Sequence, residues 1–190
     1  MTRKAKIIAT LGNSTEGILE EIVARGADAV LVDTYYGSTE ECIDRINKIK
    51  ELRDELGKNT AIIYDLDHIY AESKYKLIKI EEENVHFACQ NDVDFVACPF
   101  VSNLDEIRKV KDILQVQGKK DIGLIVKIDC KEAYENIDEI IQFADSIMIN
   151  RDELGMELPY QNLPSIQKEI IRKANDATVE VILTTQMLHS

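Results

Sequence analysis

The run LIVKID, Leu124 to Asp129, begins as an apolar strand and finishes on a lysine and an aspartate. MINRDELG, Met148 to Gly155, likewise ends an apolar run in Asn150, Arg151, Asp152 and Glu153. An ionised carboxylate or ammonium is costly in an apolar interior unless it is paired or bound to a metal, so charges that recur at strand ends suggest a site. A structural ion-pair cluster is the bland alternative, and residue types alone leave both open. Polar residues also follow other apolar runs: Asn13 and Ser14, Asp33 and Thr34, Asp65 and Asp67, and Thr184 to Gln186. Short polar side chains in such places also serve turns and helix starts.

The elements that must position these groups are legible as seven strand candidates: AKIIATLG, DAVLVD, TAIIYDL, DFVACPFV, IGLIVKID, SIMIN and VEVILTT. Amphipathic stretches lie between them, such as Ile43, Ile46, Ile49, Leu52 and Leu56, whose spacing puts the apolar groups on one helical face. Ser38 with Glu41, and Asn103 with Glu106, have capping-box spacing, while Gly26, Gly57 and Gly118 follow helical patterns where a left-handed residue is wanted. Strict alternation of helices with strands apolar on both faces implies a parallel sheet covered by helices. The stretch TLGNST after the first strand has one glycine and no lysine, so a nucleotide-type phosphate loop is not supported. A doubly wound sheet and a (β/α) barrel both have this alternation; the missing phosphate loop lowers the first, and in the second the polar residues after the strands would converge on one face.

With 190 residues, 45% of them apolar and 31% charged, the chain reads as one domain over residues 1–190. A net charge of −12 argues against nucleic acid or an anionic membrane surface as a partner. Neither a signal segment nor a membrane span is read, so a cytoplasmic protein is expected. Cys42, Cys89, Cys98 and Cys130 are scattered without a CxxC pair and read as reduced packing residues. His68, His86 and His189 lack metal-ligand spacing, and packing or surface roles are expected of them.

Taken together, KIIATLG, DFVACPFV, LIVKID, the stretch from Asp145 to Asn175 and the closing VILTTQMLHS resemble pyruvate kinase, specifically the (β/α)8 catalytic domain of that family. The resemblance implies a TIM-type barrel and phosphoryl transfer from phosphoenolpyruvate to ADP, giving pyruvate and ATP with Mg²⁺ and K⁺. It places Lys127 at the catalytic lysine, Asp129 and Glu153 at the Mg²⁺ ligands, Thr185 near the enolate carbon, Arg151 at the arginine of the family's ARGDLG, and Asp65 at the K⁺ site. No separate organic cofactor is implied.

The departures are equally specific. Asp129 and Glu153 exchange the lengths of the family's acidic pair, and Asp152 replaces a glycine near the substrate carboxylate. Leu31 replaces a phosphate-contacting arginine, while Asp33 and Tyr35 replace two K⁺ ligands. Asp67 replaces a lysine, and a short connector stands where the lid domain is inserted. The sequence ends after the seventh strand candidate, so about seven of eight strands are expected, with unpaired edges that favour a homo-oligomer. Three readings stay open: a working or residual enzyme of the pyruvate kinase type, a lid-less relative that keeps only Mg²⁺-dependent binding or chemistry of enolates or 2-oxo acids, and a non-catalytic scaffold or interaction protein that self-associates.

Overall fold

Seven short, largely apolar runs each become a strand in the computed structural model, which describes residues 5–12, 15–34, 38–66, 82–99 and 104–184. The strands are β1 (Ile8–Leu11), β2 (Ala29–Val32), β3 (Ala61–Asp65), β4 (Phe95–Cys98), β5 (Gly123–Ile128), β6 (Ser146–Asn150) and β7 (Glu180–Thr184). They pair in chain order, every neighbour parallel. This sequential order is the winding of a (β/α) barrel, because right-handed crossovers that always step the same way keep their helices on one side of the sheet. Among the described residues the sheet runs from β1 to β7, and no ladder joins β7 back to β1.

The helices are α1 (Leu19–Ala24), α2 (Thr39–Glu55), α3 (Glu82–Gln90), α4 (Leu104–Val116), the short α5 (Lys131–Glu135) and α6 (Ile137–Ile140), α7 (Arg151–Glu157) and α8 (Leu163–Asp176). Helix α8 buries Leu163, Ile166, Ile170 and Ala174, a three- and four-residue stripe. The capping box at Ser38 and Glu41 forms, and Gly26, Gly57 and Gly118 all have positive φ just past helix ends. Asn103 lies outside the described residues. On α2 the buried stripe is Cys42, Arg45, Ile46, Ile49 and Leu52; Leu56 is exposed, and a buried arginine lies in a face expected to be apolar. None of the described helices is long and apolar enough to cross a membrane.

Because side chains alternate along a strand, the sheet feeds two cores. The larger lies under the helices and includes Ile62, Val96, Leu124, Val126, Ile147 and Ile149. The smaller lies on the opposite face, from Ala29, Leu31, Ile63, Ala97, Ile125 and Met148. Burial of one such isoleucine stabilises the fold by about 1.5–3 kcal/mol relative to leaving it in water.

A repeated clamp ties the strands in pairs. The Ile7 N–H donates to Asp28 Oδ2 at 2.9 Å while the Asp28 N–H donates to the Ile7 carbonyl at 2.9 Å. Ile62 with Asp94 makes the same exchange at 2.7 and 3.0 Å, and Leu124 with Asp145 at 2.7 and 2.9 Å. An aspartate one residue before each of β2, β4 and β6 thus locks the start of its strand to the strand before it. The clamps sit at the N-terminal ends of the strands, so that end carries stability.

Gly123 opens β5 against the Phe95 ring: a Cβ there would collide with Phe95 Cδ1 and Cε1. Gly123→Ala is therefore expected to cost about 1–3 kcal/mol in urea unfolding. Adding Phe95→Leu should recover part of the loss, and failure to do so would place its cause elsewhere.

Burial raises the Cys42 and Cys89 thiols above their usual 9.0 and raises the Tyr64 phenol as well. The unfolded chain then releases these protons at lower pH than the folded one. Their contribution is intact below about pH 9 and is lost as pH climbs above it. Urea midpoints at pH 8 and pH 10.5 should show that fall, and Cys42→Ala should make it shallower.

Candidate functional site

Alternation on β3 and β5 decides what faces the inner side. Ile63 and Ile125 belong to the inner core, so Asp65 and Lys127, two residues on, share their face at the C-terminal end of the sheet. Lys127 Nζ donates to Asp65 Oδ1 and Oδ2, both at 2.7 Å. The two side chains are only 6% and 10% exposed, which makes this a buried, two-pronged ion pair. Asp129, the next inward position on the same strand line, is also buried at 6%.

Strand β6 ends in Asn150, which also occupies the N-cap position of α7 without a side-chain capping hydrogen bond. Arg151, Asp152 and Glu153 form the first turn of that helix and are half-buried; its amino end favours the two acids. The Asn150 Oδ1 and Arg151 Nε atoms are buried with no hydrogen-bond partner among the described residues. Buried polar atoms nearly always have partners, so two adjacent exceptions mark where a ligand or water would be held. Asn150 pairs in register with Thr184 on β7, whose hydroxyl donates to the Ile149 carbonyl at 3.2 Å. Thr185 lies outside the described residues, as do Tyr35, Asp67, His68 and His189.

Burial separates this cluster from ordinary surface charge. Of the four charged side chains buried among the described residues, Asp65, Lys127 and Asp129 gather here. The fourth, Arg45, reaches Glu16 at 3.2 Å from α2. The structure brings Lys127 and Asp65 into contact and sets Asp129, Arg151 and Glu153 on the ends of β5 and β6 beside them. Among the described residues no group of three or more His, Cys, Asp or Glu gathers as a metal site. His86 lies within α3, and all four cysteines are free thiols, three of them buried.

Two features escaped the sequence reading. The partnership of Lys127 with Asp65 was foreshadowed only by matched alternation along two strands that lie 62 residues apart. The role of Asn150 as both strand end and helix entry had a local signal, a polar residue between an apolar run and an acidic helical turn.

Chemically, the strand ends offer one ammonium, two or three carboxylates, a guanidinium and an amide around a largely buried face. Such a set can hold an anionic ligand and a hard cation together.

The sequence profile described as pyruvate kinase, barrel domain, matches residues 73–190. The pyruvate kinase of Clostridium perfringens is 43% identical over 110 residues, which are 58% of this chain and 23% of that protein. That of Methanocaldococcus jannaschii is 39% identical over 108 residues, 57% of this chain and 24% of the relative. That of Bacillus licheniformis is 36% identical over 110 residues, 58% of this chain and 19% of the relative. The chain therefore spans about a quarter or less of the length of these relatives.

Proposed function

Because the chain belongs to the pyruvate kinase family through that family's barrel domain, we propose that the ends of β5 and β6 bind Mg²⁺ together with a 2-oxo acid or its enolate. Phosphoryl transfer from phosphoenolpyruvate to ADP is then reduced or lost. The observation that carries the reading is that, among the described residues, three of the four buried charged side chains gather at the end of the sheet where barrel enzymes keep their chemistry.

The donor set fits Mg²⁺ in kind. This ion is commonly bound through one or two carboxylates, with water and substrate completing its shell, so a three-ligand protein cage is not required. Asp129, just past β5, and Glu153, in the first turn of the helix that follows β6, would be the two carboxylates. When bound, the ion supplies Lewis-acid polarisation of a ligand oxygen. The chain's own residues do the rest. Lys127 presents a buried positive charge to a phosphoryl or enolate oxygen, held in place by Asp65. Arg151 lies at the entry of α7, where its buried Nε atom can donate to an anionic ligand. Thr185, which lies outside the described residues, would by its place in the family motif be the residue near the enolate carbon.

Reduced phosphotransfer follows from what stands elsewhere. Leu31 is buried within the inner core, where it offers no charge to a phosphate. Asp152 adds a negative charge to the first turn of α7. Phosphoryl transfer depends on positioning and on neutralising charge at the phosphoryl oxygens, and both suffer from these residues. Association between copies also belongs to this proposal, because β1 and β7 are the edges of the described sheet and β7 is only half-buried. A strictly monomeric species in light scattering would count against it.

Calorimetry with oxalate, a dianion shaped like enolpyruvate, tests the site. Binding should require Mg²⁺ and weaken by about 10- to 100-fold or more in Glu153→Gln, since loss of even an indirect metal partner has that effect. Binding that is equally tight without Mg²⁺, or unchanged in the variant, would remove the acidic pair from the site. Absence of oxalate binding under both conditions would favour the scaffold reading.

A further inference from the structure

A monovalent cation at Asp65, the place implied by the resemblance, does not fit the residues present. Both carboxylate oxygens are already 2.7 Å from Lys127 Nζ, and the pair is almost entirely buried. A potassium ion reaching the same oxygens would stand against the ammonium, and like charges at contact in a poorly solvated interior repel strongly. An ammonium head and a dehydrated potassium ion carry the same charge and are similar in size. The geometry points to Lys127 as the resident cation of Asp65: its ammonium fills the place of a monovalent ion, and the site requires none.

The ion pair itself is independent of the functional reading. Only its consequence for ligand binding rests on the functional reading above. That consequence is that Mg²⁺-dependent oxalate binding is indifferent to the monovalent cation in solution. In this arrangement the covalent tether makes occupancy independent of ion concentration, and Lys127 has two tasks: it neutralises Asp65 and presents positive charge toward the ligand.

The test is thermal unfolding at constant ionic strength in KCl, NaCl and tetramethylammonium chloride, the last cation being too large to enter. Native protein should have the same Tm in all three to within about 1 °C, since no ion binds the folded state selectively. Lys127→Met empties the place, and KCl should then raise Tm by roughly 3 °C over tetramethylammonium when K⁺ is well above its dissociation constant. A K⁺-specific rise in the native protein overturns the inference, as does a folded Lys127→Met that is indifferent to K⁺. Should Lys127→Met not fold, the native comparison decides, together with oxalate and Mg²⁺ calorimetry in the K⁺ and tetramethylammonium buffers. Equal affinity there supports the inference, and affinity that depends on K⁺ overturns it. If oxalate fails to bind in every buffer, the functional reading fails while the melting comparison still decides the occupancy of Asp65.

Discussion

Lys127→Met is expected to lower the free energy of unfolding by about 3–5 kcal/mol, because removing one member of a buried ion pair leaves the other charge uncompensated. Methionine keeps the length and most of the volume of the lysine stem, so a cavity is a minor part of the loss. What disappears is the ammonium that meets both Asp65 oxygens at 2.7 Å in a site where the carboxylate is 10% exposed. The paired change Lys127→Met with Asp65→Leu should recover most of the deficit, since well-packed apolar groups often replace a buried ion pair at little cost. The cycle of single and double variants, read by urea unfolding, gives the coupling directly. A double variant no more stable than the worse single one would mean that the lysine acts through other contacts. Function should not follow stability back: oxalate binding stays lost in the double variant if Lys127 faces the ligand.

The second large effect separates the two faces of β5. Leu124 and Ile125 are adjacent and essentially fully buried, yet Leu124 faces the helix-side core and Ile125 the inner core. Truncation of either to alanine should cost about 2–5 kcal/mol, the range for large aliphatic side chains whose neighbours relax only partly into the cavity. Their effects on the site should differ. Ile125 shares its face with Lys127 and Asp129, so Ile125→Ala loosens the floor under the ammonium and should weaken Mg²⁺-dependent oxalate binding. Leu124→Ala should leave the affinity of the folded fraction unchanged. Equal losses of affinity in the two variants would show that the site responds to global stability and not to its own floor.

The seven strands were readable because each is a short apolar run set between helical patterns, the arrangement of a parallel sheet covered by helices; the inner strands are buried on both faces, while β1 and β7 are partly exposed. The helix ends at Ser38 and at the three positive-φ glycines were readable for a similar reason, since each answers a local need of the backbone. Asp28, Asp94 and Asp145 were harder. Each looks like an ordinary polar residue before a strand, and its clamp exists only because the preceding strand presents an N–H and a carbonyl in register beside it. The regular place of these aspartates before even-numbered strands was the available signal. Arg45 was hidden by periodicity itself, because the helical stripe that buries Ile46 and Ile49 also carries an arginine inward toward Glu16.

For the site, the sequence by itself determined which charges end the inner-facing strands, since residue type and the period of two place Asp65, Lys127 and Asp129 on definite faces once a strand is recognised. It could not determine which of these charges meet. Lys127 and Asp65 are 62 residues apart, and their contact depends on β4 lying between β3 and β5, on the register of both ladders, and on the curl of the sheet. Those are properties of strand pairing, set jointly by every helix that packs behind the sheet. Only the tertiary structure could therefore show that the aspartate expected to hold an ion already holds a lysine.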